Sequence, residues 1–346
     1  MSAQWGLVTR QQALKVGMSA AQILRLLRNG SWTTVHRGVY AESRYVDSLA
    51  SHAEQRLLVD RAVSLRTLGP HAFSHHSAAY LLDLPVLREP EPTTHLTRPG
   101  LVGKHRRDAV AQHLAPYPEE QTRDVHGVCV LNAERTALDI VREHGYLSGL
   151  VAVDSALRMG VTKLDLYAVL STMYCWPRSN LMRDVIESAS PDTDSVGETL
   201  LRDIVRSFGF GEPEVQFGLT ADGRSAWCDL RLGRHFFEFD GYVKIVGIDQ
   251  GGYARQPASG VLWEEKTRQD FVTGFKTGVS RATWDDVFGP GLEQGRSRML
   301  REFLDTSRRF GTDISDLEQF RPREPRRRPL LRPAPRGLVG WERWAA

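Results

Sequence analysis

The chain has 346 residues, 41% of them hydrophobic and 25% charged, with a formal net charge of +3. That length leaves room for two or three domains with cores of their own, and the composition is that of ordinary globular protein. No stretch approaches the roughly 18 to 20 consecutive apolar residues of a membrane span. The N-terminus lacks an apolar core followed by a small-residue cleavage site, and the three cysteines at 129, 175 and 228 are too few and too far apart for a disulfide framework or a CxxC knuckle. These features argue for the cytoplasm, and against a membrane partner and a structural zinc.

Residues 6–41 predict helix, turn, helix and short hairpin. Thr9 with Gln12 and Ser19 with Gln22 carry capping-box signatures, the first helix stops at Gly17, and the second places Ile23, Leu24 and Leu27 towards a core and ends near Gly30. The alternation then turns to period two through Trp32, Val35 and Val39, as expected of a small wing. A winged helix-turn-helix over 1–45 follows. In such a unit the second helix enters the major groove and the wing meets the backbone. The exposed side of that helix carries Gln22, Arg25, Arg28 and Asn29, and Ser31, His36 and Arg37 lie on or near the wing. Arginine reads guanine with two hydrogen bonds and Gln or Asn reads adenine, so the set suits DNA. The same residues also describe an ordinary solvated face, and helix-turn-helix units dock proteins as well.

Residues 46–190 are mixed and predict an α+β middle domain. HAFSHHSAAYLLDL reads as helix, TTHLTRPG and GVCVL as strands, and NAERTALDIVREHG, SGLVAVDSALRMG and KLDLYAVLSTMY as three successive helices. His75 and His76 are adjacent, so they do not share a helical face, and no cysteine or third histidine stands at ligand spacing. They read as core or surface residues. Arg135 and Asp139 have the spacing of an i,i+4 helix pair.

Residues 191–317 predict helix, three strands, helix and strand, an α/β domain with a mixed sheet. Asp229 lies on one predicted strand and Glu238 and Asp240 on the next, where i and i+2 share a face and Phe237 and Phe239 turn to the other. Converging carboxylates raise one another's pKa unless a cation sits among them, and Mg²⁺ accepts such hard oxygen ligands together with phosphate. A metal-dependent phosphodiesterase is one reading, with the metal activating water; a solvated sheet face is the other. Glu198 could join from the preceding helix, although Ser195 and Glu198 also form an S-x-x-E cap. Lys266 and Lys244 compete as the cation facing the scissile phosphate. Residues 318–346 read as a basic tail, since RPREPRRRPLLRPAPR holds seven arginines and five prolines in 16 residues.

Two resemblances add to this reading. Residues 195–288 resemble the Vsr-like branch of the PD-(D/E)XK nuclease superfamily through Glu198, Asp229, the run Glu238-Phe239-Asp240-Gly241, the run Glu265-Lys266-Thr267-Arg268, and Arg281-Ala282-Thr283-Trp284. The resemblance implies a restriction-endonuclease-like domain with Mg²⁺ or Mn²⁺ held by Asp229, Glu238, Glu198 and Asp240. Asp240 departs from the lysine that commonly follows E-x in the superfamily. Residues 6–41, with GLVTRQQALKVGMS and VHRGVY, are similar to the N-terminal domain of AbiEi-family type IV antitoxins and regulators, and THLTRPG and the NAERTALDI helix look like their second domain. That likeness implies DNA and a cognate toxin as partners, and half-site symmetry on DNA would suggest a second copy of the chain, although no coiled-coil heptad demands one. The expectation is thus a multidomain α/β DNA-binding endonuclease, with a regulator or antitoxin whose nuclease-like domain is inactive as the alternative. A pure interaction protein is the third reading.

Overall fold

The computed structural model of the protein describes residues 4–49, 51–100, 103–240 and 258–323, with the backbone alone over 258–265. One compact unit is built on Met1–Ala189 and another on Ser190–Leu330.

The first unit begins with β1 (Val8–Thr9), α1 (Arg10–Lys15) and α2 (Ala20–Arg28). Both capping boxes form. The Thr9 and Ser19 hydroxyls each accept from the N–H of Gln12 or Gln22 at 3.2 Å, and the glutamine side chains accept the cap N–H groups at 2.8 and 2.7 Å. The hairpin of β2 (Trp32–His36) and β3 (Val39–Glu42) turns at Gly38, whose φ of 76° suits glycine, and β1 completes a sheet of order β1-β3-β2. Ala13, Ile23 and Tyr40 form a small local core, with Trp32 stacked on Tyr40. This is a winged helix. Its other face does not end at residue 45: Leu7, Val39, Ala41 and Tyr45 belong to the same continuous core as the residues that follow.

After α3 (Ser43–Asp47) and α4 (His52–Ser64), a six-stranded mixed sheet forms from β4 (Ala72–Phe73), β5 (Thr94–Arg98), β6 (Gly103–Arg107), β7 (Val110–Leu114), β8 (Thr122–Val125) and β9 (Val128–Leu131), in the order β6-β7-β5-β4-β9-β8. The segment expected as one helix from His71 begins as strand. Ala72 and Phe73 fill the middle of the sheet, and α5 (His75–Leu82) starts only after His75 takes φ 50°. The expected strands and three helices are present as β5, β9, α6 (Ala133–His144), α7 (Tyr146–Arg158) and α8 (Lys163–Thr172), joined by α9 (Ser179–Ser188).

Helices α6 and α7 meet at Gly149, where an added Cβ would lie 2.5 Å from Val141 Cγ2 and 2.9 Å from its Cα. Gly149→Ala must therefore push the helices apart, and a loss of about 1–3 kcal/mol is expected in the denaturant midpoint.

The second unit has α10 (Val196–Arg206), β10 (Glu214–Ala221), β11 (Arg224–Leu232), β12 (His235–Phe239), α11 (Ala258–Thr273), β13 (Gly278–Ala282), α12 (Trp284–Phe288) and α13 (Leu292–Phe310). The sheet order is β10-β11-β12-β13, antiparallel except for the parallel β12–β13 pair. The element order matches the sequence expectation up to β13. Helix α13 was not expected, because its 19 residues bury a narrow stripe of Gly295, Met299, Phe303 and Thr306 beneath an otherwise polar surface. Part of the expected tail is packed: Phe320 meets Phe275 edge-on, and Arg321 donates to Glu214 at 2.7 Å and lies over Phe217. Residues beyond 323 lie outside the described ones.

His235 is buried between Thr306 Oγ1 at 2.7 Å and Ser280 Oγ at 2.8 Å, and burial lowers its pKa to about 4. The unfolded chain, with histidine near 6.5, binds the proton first as pH falls. This unit should therefore lose stability progressively from about pH 6.5 to 4, by up to about 3 kcal/mol. Denaturant titrations at stepped pH check this, and His235→Gln should flatten the slope.

Candidate functional site

The winged helix exposes most of its expected DNA face. Gln22, Arg25, Arg28, Asn29, Ser31 and Arg37 are exposed, and His36 is half-buried. The face is narrower than the sequence suggests. Gln22 Oε1 accepts the Ser19 N–H, and Asn29 Oδ1 accepts the Ser31 N–H at 3.1 Å, so both amides serve the ends of α2. The side chains of Arg25, Arg28 and Arg37 make no hydrogen bond or ion pair within the described residues, and the first two stand on the last turn of α2. The wing also borders a cavity of about 460 Å³ lined by His36, Arg66, Arg98, His105 and Arg107, among others. Burial, and next to it the Arg66 charge, lowers the His36 pKa. Three guanidinium groups thus border the same cavity as the wing, one of them, Arg107, paired with Asp108 at 3.3 Å, a clustering the sequence did not signal because these residues come from three separate segments.

In the second unit the alternation along β12 is as expected. Glu238 turns towards α11, whereas Phe237 meets Phe303 of α13 and Phe239 packs on Gly197 of α10 and on Trp284. The carboxylates are committed to protein partners. Arg268 grips Glu238 with both guanidinium NH₂ groups, one of them at 2.6 Å, and Arg281 lies 3.9 Å away. Asp229 accepts the Phe239 N–H at 2.8 Å. Glu198 serves as cap, accepting from the Asp194 N–H at 2.7 Å and the Ser195 hydroxyl at 3.0 Å, and Gln216 Nε2 adds a third bond at 3.1 Å. Asp240 is half-buried, and its N–H donates to the Ala282 carbonyl. Lys266 is exposed on α11, and Lys244 lies outside the described residues. Among the described residues no three of these carboxylates bring oxygens within 4.8 Å of one another. As arranged, Glu198, Asp229 and Glu238 each accept hydrogen bonds from protein donors. Arg268, two residues beyond Lys266, is the cation that faces Glu238, and the E-K-x-R run already contained it.

A third constellation was missed. His75, His76, His95, His113 and His144 converge in the first unit with Glu89. The first four are at most 2% exposed, and the Glu89 side chain is 7% exposed. His76 Nε2 donates to the Leu87 carbonyl at 2.9 Å, leaving Nδ1 buried and unbonded 3.7 Å from Glu89 Oε1. His95 Nε2 is 2.8 Å from the same oxygen and its Nδ1 is 3.0 Å from His113 Nε2, while His144 Nε2, also without a hydrogen bond, is 3.4 Å from Glu89. The rings of His75, His95 and His113 stack on one another. Burial pushes His76 down to about 4 and His95 and His113 to about 3, and lowers His75 and His144 as well, so all five are neutral at pH 7. Burial raises the pKa of Glu89. Neutral imidazoles have the protonation state that metal ligands require.

Residues 2–43 match the family described as a transcriptional regulator, AbiEi antitoxin, and residues 70–183 match the AbiEi antitoxin C-terminal domain. The chain thus carries an N-terminal antitoxin/regulator domain of the AbiEi type and a separate AbiEi C-terminal domain. No endonuclease family was found to match. No curated protein matches the chain. Among the described residues no helix is long and apolar enough to cross a membrane.

Proposed function

We propose that the protein is a DNA-binding transcriptional regulator of the AbiEi antitoxin type. Its winged helix reads duplex DNA through Arg25 and Arg28, and Arg37 and the neighbouring guanidinium groups hold the phosphates. The observation that carries this reading is the set of exposed arginines on α2 and the wing turn, Arg25, Arg28 and Arg37, whose side chains have no partner among the described residues, with His36 of the wing lining the cleft that Arg66, Arg98 and Arg107 also border. The phosphate contacts set orientation and salt dependence, and the two helix arginines supply base contacts. A cognate toxin is the protein partner this type of regulator implies, and a second copy of the chain is what two-fold half-sites on DNA would call for.

Phosphodiester cleavage by the second unit is the competing reading, supported by the resemblance around Asp229, Glu238 and Asp240. The Arg268–Glu238 fork weighs against it, because it spends the carboxylate on a guanidinium instead of a metal. One experiment separates the two. The full-length chain is mixed with its own promoter fragment, with supercoiled plasmid and with mismatched duplex, with and without Mg²⁺ or Mn²⁺. A retarded promoter band with intact DNA supports the regulator. Metal-dependent nicking that is lost in both Asp229→Ala and Glu238→Ala would move the assignment to the nuclease.

A further inference from the structure

We propose that His76, Glu89, His95 and His144 form a four-coordinate binding site for a Zn²⁺-class divalent cation. Four elements supply the donors: the start of α5, the loop after it, β5, and the end of α6. One donor atom from each lies within 4.8 Å of all the others. Bonds of about 2.0–2.2 Å in a tetrahedron place donors about 3.4 Å apart, close to the distances of 3.7, 2.8 and 3.4 Å from Glu89 Oε1 to the three imidazole nitrogens.

Two independent features point to a ligand rather than to packing. His76 Nδ1 and His144 Nε2 are buried nitrogens without a hydrogen bond, an arrangement that costs stability unless something binds them. The outer shell is that of a metal-bound histidine, which uses its second nitrogen on a carbonyl or another acceptor: His76 Nε2 donates to the Leu87 carbonyl, and His95 Nδ1 meets His113 Nε2. The site is reachable, since a cavity of about 380 Å³ is bounded by Glu89, His95, Lys104, Arg106 and His144, among others. Three imidazoles and one carboxylate suit Zn²⁺ and its neighbours in the first transition row better than Mg²⁺ or Ca²⁺, which prefer all-oxygen shells. A structural zinc, disfavoured by the cysteine count, is thus rebuilt from histidine.

The test uses the full-length chain stripped with chelator and titrated with Zn²⁺ by calorimetry, and with Co²⁺ followed by its visible spectrum. One equivalent of Zn²⁺, a Co²⁺ band of four-coordinate type, and an X-ray absorption shell of nitrogen and oxygen alone are expected. Free Zn²⁺ at about 100 times Kd should raise the melting temperature of the first unit by roughly 5–10 °C. Glu89→Gln and His144→Gln should each weaken Zn²⁺ binding at least about 100-fold. Their metal-free melting should stay at the metal-free wild-type value, which separates ligand loss from misfolding. His75→Asn, which tolerates the left-handed backbone, should keep the wild-type stoichiometry. The assignment is overturned by absence of saturable uptake, by a sulfur donor in the absorption shell, or by unchanged affinity in both ligand variants. Loss of binding in His75→Asn with His144→Gln intact also overturns it, by moving the cation to the His75, His95 and His113 trio.

Discussion

Asp139→Ala is expected to lower the stability of the first unit by about 3–5 kcal/mol, the cost of leaving a buried charge without its counter-charge. Arg135 is 1% exposed, and its Nε donates to Asp139 Oδ2 at 2.9 Å. Its Nη1 donates to Gln121 Oε1 at 2.8 Å and to the Pro116 carbonyl at 3.2 Å, and the guanidinium lies 4.8 Å from the centre of the Trp176 ring. Those neighbours are neutral. They satisfy hydrogen bonds but cannot replace the carboxylate, so removing it strands a cation in the core beside α6. Asp139→Asn keeps an acceptor oxygen and drops the charge, and its loss should fall between wild type and Asp139→Ala. Denaturant unfolding followed by the near-ultraviolet signal of Trp176 reads the effect. A loss under about 1 kcal/mol for Asp139→Ala would mean that the pair behaves like an exposed one, which would sink the account of Arg135 as an anchor of this core.

The parts of the molecule legible in the sequence are those written in short-range chemistry. Thr9 with Gln12 and Ser19 with Gln22 announce α1 and α2 because a cap and its N3 partner are three residues apart. The i,i+4 pairing of Arg135 and Asp139 was readable for the same reason, but its burial was not. The first unit's sheet was only partly legible. Its edge strand, Gly103–Arg107, is exposed throughout and shows no apolar alternation, and α4 carries the buried Asp60 among its core positions, bonded to Thr94 from across the chain. At Glu238 the sequence offered Lys266 as the nearby cation. Residues two apart on a helix point about 200° from one another, so the helix that turns Arg268 inward leaves Lys266 in solvent. The histidine cluster had no local signature at all, because its members arrive from α5, β5, β7 and α6 and meet only when the six-stranded sheet closes on its helices.

Replacing both Arg25 and Arg28 with alanine is expected to weaken binding to the protein's own promoter by about 2–4 kcal/mol, a 30- to 1,000-fold loss, as befits two arginines that contact bases. Stability should be unchanged, since both are exposed and their side chains make no hydrogen bond or ion pair within the described residues. Lysine at these positions separates charge from shape. Lys keeps the positive charge but lacks the planar fork, so Arg25→Lys with Arg28→Lys should retain affinity for random duplex while losing preference for the promoter. Arg37 at the turn of the wing has the other expected profile: Arg37→Ala should weaken specific and random duplex alike, and reduce the slope of log K against log salt by about one. Fluorescence anisotropy across a salt series measures all three variants at once. If the double alanine variant binds the promoter as wild type does, α2 is not the reading helix, and the cleft bordered by Arg66, Arg98 and Arg107 becomes the surface to mutate next.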